Sequence, residues 1–94
     1  MWRNGAVIEL KLSPENHTVT TPDGARARLT PAEFRVLAYL LANRGRVLTV
    51  EEITTATGVR CIRSAVSKLR YKLGPARLLI HGVYGIGYLL REHV

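Results

Sequence analysis

The stretch Arg60-Cys61-Ile62-Arg63-Ser64-Ala65-Val66-Ser67-Lys68-Leu69-Arg70-Tyr71-Lys72-Leu73-Gly74-Pro75 decides the fold. Ile62, Val66, Leu69 and Leu73 recur at spacings of four, three and four, which places them on one face of a helix running from about residue 60 to residue 73. Arg60, Arg63, Lys68, Arg70 and Lys72 all fall off that stripe, so the exposed side of the helix is basic. Gly74-Pro75 stops it. Beyond the stop, Leu78 to Tyr84 and Gly87 to Leu90 are two apolar, β-prone runs joined around Gly85-Ile86-Gly87, the pattern of a hairpin.

Two more helices precede this one. Thr30 can cap, Pro31 suits a first helical position, and Glu33 stands three residues after Thr30 to close a capping box. From there Phe34, Leu37, Ala38, Leu40 and Leu41 keep helical spacing until Asn43-Arg44-Gly45. Thr49-Val50-Glu51-Glu52 repeats the capping box and opens a short second helix, with Ile53 and Ala56 expected inward and Gly58 at its end. Toward the N-terminus, Ala6 to Leu12 alternates as a strand does, and Ser13-Pro14-Glu15-Asn16 reads as a turn. His17 to Thr21 is β-branched, Pro22-Asp23-Gly24 turns again, and Arg26 to Leu29 alternates once more. Residues 1–29 therefore read as a three-stranded antiparallel meander, 30–74 as a three-helix unit and 78–91 as a wing hairpin, together one α+β winged helix-turn-helix domain over 1–94.

Ninety-four residues leave no room for a second core, and a hydrophobic fraction of 47% is enough for one. The formal net charge is +7, and it is unevenly spread. Residues 1–52 carry seven basic and six acidic groups, residues 53–94 seven basic and one acidic, so the halves hold +1 and +6. No carboxylate lies between Glu52 and Glu92, a span holding seven Lys and Arg, and a polyanionic partner is expected there. No apolar run is long enough to span a membrane, and Met1-Trp2-Arg3-Asn4-Gly5 does not open a signal peptide. A single cysteine, Cys61, forms no internal disulfide, and His17, His81 and His93 lie too far apart for a metal motif. The expectation is a cytoplasmic, nucleoid-associated protein without membrane, metal or cofactor.

No catalytic constellation emerges either, and no enzyme is expected. Glu51-Glu52 is explained by capping, Gly82-x-x-Gly85-x-Gly87 sits in a strand-turn-strand pattern without a following helix, and Cys61 reads as a small unreactive helix residue rather than a redox sensor. What the basic helix does offer is a row of base-reading and phosphate-binding side chains: Arg60, Arg63, Ser64, Ser67, Lys68 and Tyr71.

Four pieces of the chain, in order, resemble the OmpR/PhoB-type winged-helix DNA-binding domain, the effector half of bacterial two-component response regulators. They are Leu29-Thr30-x-x-Glu33-Phe34, Gly45-Arg46-Val47-Leu48-Thr49-x-Glu51-Glu52, Val66-Ser67-Lys68-Leu69-Arg70-x-Lys72-Leu73-Gly74 and Gly82-Val83-Tyr84-Gly85-Ile86-Gly87-Tyr88. The resemblance implies that Arg60, Ser64, Ser67, Lys68 and Arg70 face double-stranded DNA and that the hairpin tip, at Tyr84, enters the adjacent minor groove. It also implies RNA polymerase as a further partner and two copies on tandem sites. The chain departs from the family pattern in three places. The link between the second and third helices shrinks to about Thr57-Gly58-Val59; the wing position that is often arginine is Tyr84; and no receiver domain precedes Met1, so the sequence reads as a standalone regulator or a piece of a longer one. The alternative function is a winged-helix protein-interaction module whose basic face binds an acidic protein.

Overall fold

The computed structural model describes residues 10–91. The meander is present as β1 (Lys11–Ser13), β2 (Thr18–Thr20) and β3 (Arg26–Arg28), paired antiparallel in the order β1-β2-β3. The part of the expected first strand from Ala6 to Glu9 lies outside the described residues. Ser13 belongs to β1 rather than to the turn, and β2 begins one residue late because His17 turns the chain through a left-handed conformation, φ 52°. The His17 ring stands edge-on to Phe34, 5.0 Å between centroids, and so attaches the sheet to the first helix.

That helix, α1, spans Pro31–Ala42. Both halves of its capping box form: Thr30 Oγ1 accepts from the Glu33 backbone N–H at 3.2 Å, and a Glu33 carboxylate oxygen accepts from the Thr30 N–H at 3.0 Å. Its inner line is Val36, Leu37 and Leu40, all fully buried, with Phe34 and Leu41 only partly covered. The second capping box is the same device at Thr49 and Glu52, with bonds of 3.0 Å both ways. It opens α2 (Val50–Thr57), which ends on Gly58 in the left-handed conformation, φ 75°. Ala56, expected inward, is exposed; Thr57 takes the inner place, one turn after Ile53, and hides its hydroxyl by donating to the Ile53 carbonyl at 2.6 Å.

The third helix, α3, spans Ile62–Leu73, two residues shorter at its start than expected. Cys61 occupies the cap position and makes no side-chain cap bond, which leaves Arg60 and Cys61 outside the helix. The stripe of Ile62, Val66, Leu69 and Leu73 is buried as its spacing requires, and Ala65 joins it. Gly74-Pro75 does not end the helical path at once. Gly74–Leu79 continues as a 3-10 segment that packs on α3 through Ala76 and Leu79, so Leu78, expected to begin a strand, is exposed instead.

The wing is β5 (Ile80–Val83) and β6 (Gly87–Leu90), antiparallel, with Val83 opposite Gly87. A third strand that the sequence does not announce, β4 (Leu48–Thr49), pairs with β6, giving the order β4-β6-β5. This pairing sews the wing to the start of α2 and requires Gly87. A Cβ built there would lie 2.8 Å from the Leu48 carbonyl carbon and 2.9 Å from Thr49 Cα, and closer still to the Leu48 oxygen. Gly87→Ala is therefore expected to cost at least the upper end of the about 1–3 kcal/mol typical of overpacking. Urea denaturation checks this, and a Gly87→Ala protein as stable as the parent would contradict the β4–β6 approach.

One ion pair links the two ends of the helical unit: Lys72 Nζ, near the end of α3, lies 2.7 Å from a Glu33 carboxylate oxygen at the start of α1, with the side chains 31% and 3% exposed. Burial pushes the Glu33 carboxyl up, but the Lys72 ammonium, the Thr30 N–H and the charge of Lys68 outweigh it and hold the group below the ordinary carboxylate range. A folded pKa below the unfolded one stabilises the fold above the unfolded value, and the contribution disappears as pH falls through the folded value. Lys72→Met should cost about 1.5–3 kcal/mol at pH 7. The stability gap between parent and variant should narrow as pH drops below about 4.5, the unfolded carboxylate range. Denaturation of both proteins from pH 7 to pH 3 measures it, and a gap constant over that range would contradict the pairing.

Candidate nucleic-acid interface

Because Ile62, Ala65, Val66, Leu69 and Leu73 are consumed by the core, the opposite side of α3 is fixed as the outward one. Arg63, Ser64, Ser67 and Lys68 are exposed on it, and Tyr71 stands 88% exposed. At four-residue spacing, Arg63, Ser67 and Tyr71 form one line and Ser64 and Lys68 the next, so five of the eight expected contact residues share a continuous face. Arg60 is exposed just ahead of the helix. The face holds no carboxylate.

Arg70 has a different setting. It is only partly exposed, one of its terminal nitrogens donates to the Ile80 carbonyl at 3.3 Å, and its guanidinium carbon lies 5.8 Å from the centre of the Tyr88 ring. That is within cation–π range. Arg70 thus joins α3 to β5 and β6 and passes beside Gly82, where a Cβ would meet the Arg70 nitrogen at 3.4 Å and the Tyr88 ring at 3.8 Å, ordinary van der Waals contact. Lys72, the remaining basic residue of the helix, is spent on Glu33. The basic run of the sequence therefore divides into Arg60, Arg63 and Lys68, which face solvent, and Arg70 and Lys72, which tie the helix to its neighbours.

The wing tip is the turn Tyr84-Gly85-Ile86, closed by the Ile86 N–H donating to the Val83 carbonyl at 3.0 Å. Tyr84 is 102% exposed, touching nothing that would hold it, and Ile86 beside it is also exposed. Between the tip and α3 runs an open groove of about 690 Å³ whose walls include Arg63 and Arg70 on one side and Gly82, Tyr84, Ile86 and Tyr88 on the other. The structure therefore brings Arg63, Arg70 and Tyr84 around one groove, while Arg60, Ser64, Ser67, Lys68 and Tyr71 lie outside its walls. The sequence shows only the charge of Arg70; its structural task rests on contacts with Ile80 and Tyr88 that no local pattern announces.

Comparison with known proteins shows the family of the chain. Residues 24–90 match the family described as "Transcriptional regulatory protein, C terminal". The chain is 37% identical over 87 residues to the response regulator protein PmrA of Pseudomonas aeruginosa, covering 85% of this chain and 38% of that protein. It is 39% identical over 94 residues to the response regulator MprA of Mycobacterium ulcerans, covering 89% and 40%. It thus spans about two-fifths of the length of these relatives. Among solved structures, the DNA-binding domain of CpxR from E. coli superposes with a TM-score of 0.75 at 28% identity, over 95% of this chain and 96% of that one.

The two tyrosines of the wing should respond oppositely to truncation. Tyr84→Ala is expected to leave stability within about 0.5 kcal/mol, as surface changes do, whereas Tyr88→Ala removes the ring under Arg70 and should cost about 1–3 kcal/mol. Thermal melts of the two variants decide it, and equal losses would contradict the placement of Tyr88.

Proposed function

The chain belongs to the family of C-terminal domains of transcriptional regulatory proteins, OmpR/PhoB-type winged helices that regulate transcription by binding DNA and are not enzymes, and we propose that this member binds double-stranded DNA sequence-specifically through the outer face of α3. The observation that carries the reading is the face itself: Arg63, Ser64, Ser67, Lys68 and Tyr71, exposed, contiguous and free of acid. A helix about 10–12 Å across fits a major groove about 12 Å wide. There the forked guanidinium of Arg63 matches the two acceptors of guanine, the serines hydrogen-bond to bases of either kind, and Lys68 neutralises phosphate. Arg60, placed before the helix, reaches the flanking backbone. Arg70 presents its remaining donors along the groove while holding the wing.

The wing lies beside the duplex and sets Tyr84 against the neighbouring minor groove or its sugar-phosphate wall. With tyrosine where the family often has arginine, the tip stacks and hydrogen-bonds and adds no charge, so its contribution to affinity is independent of salt. Such a regulator works in the cytoplasm, where the bacterial chromosome is.

Selection of bound fragments from genomic DNA followed by a salt series on the selected duplex tests the reading. Arg63→Ala should relax the preference at one base position and cost about 1–3 kcal/mol, and Lys68→Ala should weaken all sequences alike and reduce the slope of log affinity against log salt by about one. A double variant that keeps its fold and binds as the parent does would remove α3 as the reader. Binding that is weak on every duplex but tight to an acidic protein would instead support the interaction-module alternative.

A further inference from the structure

A second concentration of positive charge lies outside the outer face of α3. Arg77 in the 3-10 segment, His81 on β5 and Arg91 just after β6 line an open cavity of about 380 Å³ at the base of the wing, together with Arg70 and Gly82. Arg70 and Gly82 also belong to the groove at the wing tip, so the two spaces adjoin and the basic track continues from Arg63 past Arg70 to this cavity. The chain supplies no carboxylate from Ile53 to Arg91, and among the described residues no acid pairs with Arg77 or Arg91.

Each guanidinium is oriented without being used up. Arg77 donates to the Gly74 carbonyl at 3.1 Å. One terminal nitrogen of Arg91 lies 3.2 Å from His81 Nδ1, while the Arg91 backbone N–H holds the Leu79 carbonyl at 2.8 Å. A guanidinium has donors only, so His81 Nδ1 is placed to accept, a contact that calls for the tautomer with its N–H on Nε2. The site thus offers the spare N–H groups of two arginines and one imidazole N–H, which is donor chemistry for an oxyanion.

We propose that the base of the wing is a phosphate clamp, in which Arg77 and Arg91, with the His81 Nε2–H beside them, grip a phosphodiester of the DNA backbone beyond the stretch that α3 reads. The clamp rests on the DNA-binding reading and extends it: it lengthens the footprint and adds affinity that is independent of sequence.

The test uses the 94-residue chain and a random-sequence duplex of about 30 base pairs, with affinity followed from about 50 to 200 mM salt. Removing two phosphate contacts in Arg77→Ala/Arg91→Ala should flatten the slope of log affinity against log salt by about 1.8, so the parent loses about tenfold more affinity than the variant over that range. Arg77→Lys/Arg91→Lys should restore most of the slope, and Arg77→Gln/Arg91→Gln serves as the neutral pair if the alanine pair does not fold. Inorganic phosphate, followed by NMR at the His81 ring, separates a duplex phosphate from a free one. A parent without salt-dependent duplex binding overturns the DNA reading and the clamp with it. A steep parental slope that the neutral pair retains overturns the clamp alone, and so does a His81 ring that shifts with inorganic phosphate and does not shift with the duplex.

Discussion

Leu69 has no exposed surface, and it sits in the middle of the line Ile62, Ala65, Val66, Leu69 and Leu73 that α3 buries against α1 and the 3-10 segment. Neighbouring residues on a helix are about 100° apart, so turning α3 by a single position would carry Arg70 into the core and Leu69 into water. Burying an unpaired guanidinium costs far more than the core could return. The rotation of α3 is therefore determined by its apolar side, and the composition of its outer face follows. The Glu33–Lys72 pair adds a lock along the helix axis. Glu33 serves at once as the third residue of a capping box and as the partner of an ammonium one helix away, so the start of α1 and the end of α3 are held by one carboxylate.

The wing depends on the same helix from the other side. Arg70 reaches Ile80 and Tyr88 from α3, and β4 pairs with β6 from the start of α2, so the hairpin is held at both its edges by the helical unit. Backbone closeness at Gly87 makes the β4–β6 pairing possible. The outer face of α3 and the tip of the wing are thereby held side by side with a groove between them, the geometry on which the proposed duplex contact rests.

Much of this was legible in the sequence because it is local. The two capping boxes, the stripe of α3 and the glycine-turned wing each announce themselves within a few residues, and only the wing is displaced, its first strand beginning at Ile80 and not at Leu78. What the sequence did not show is either too short or too long in range. Two residues of β4 have no periodicity to read, and they become a strand only because β6 lies beside them. Lys72 and Glu33 are 39 residues apart, and nothing in a run of basic residues says which of them will turn to a partner. Ala56 and Thr57 are adjacent, and apolarity favoured the wrong one; the hydroxyl of Thr57 is buried at little cost because it bonds to the turn below. At the site, exposure of Arg63, Ser64, Ser67, Lys68 and Tyr71 follows from the stripe alone, while the position of Arg70 between helix and wing depends on the tertiary fold.

The outer face of α3 and the wing, acting as one DNA-binding surface, would both feel a bound duplex. The most direct measurement is an NMR titration of the labelled chain with duplex DNA, following every backbone amide. Shifts are expected to concentrate on residues 60–71 and 82–87, with β1 to β3 and the exposed side of α2 unchanged. Shifts centred on the acidic side of α2, around Glu51 and Thr55, or on the meander, with α3 silent, would contradict this expectation.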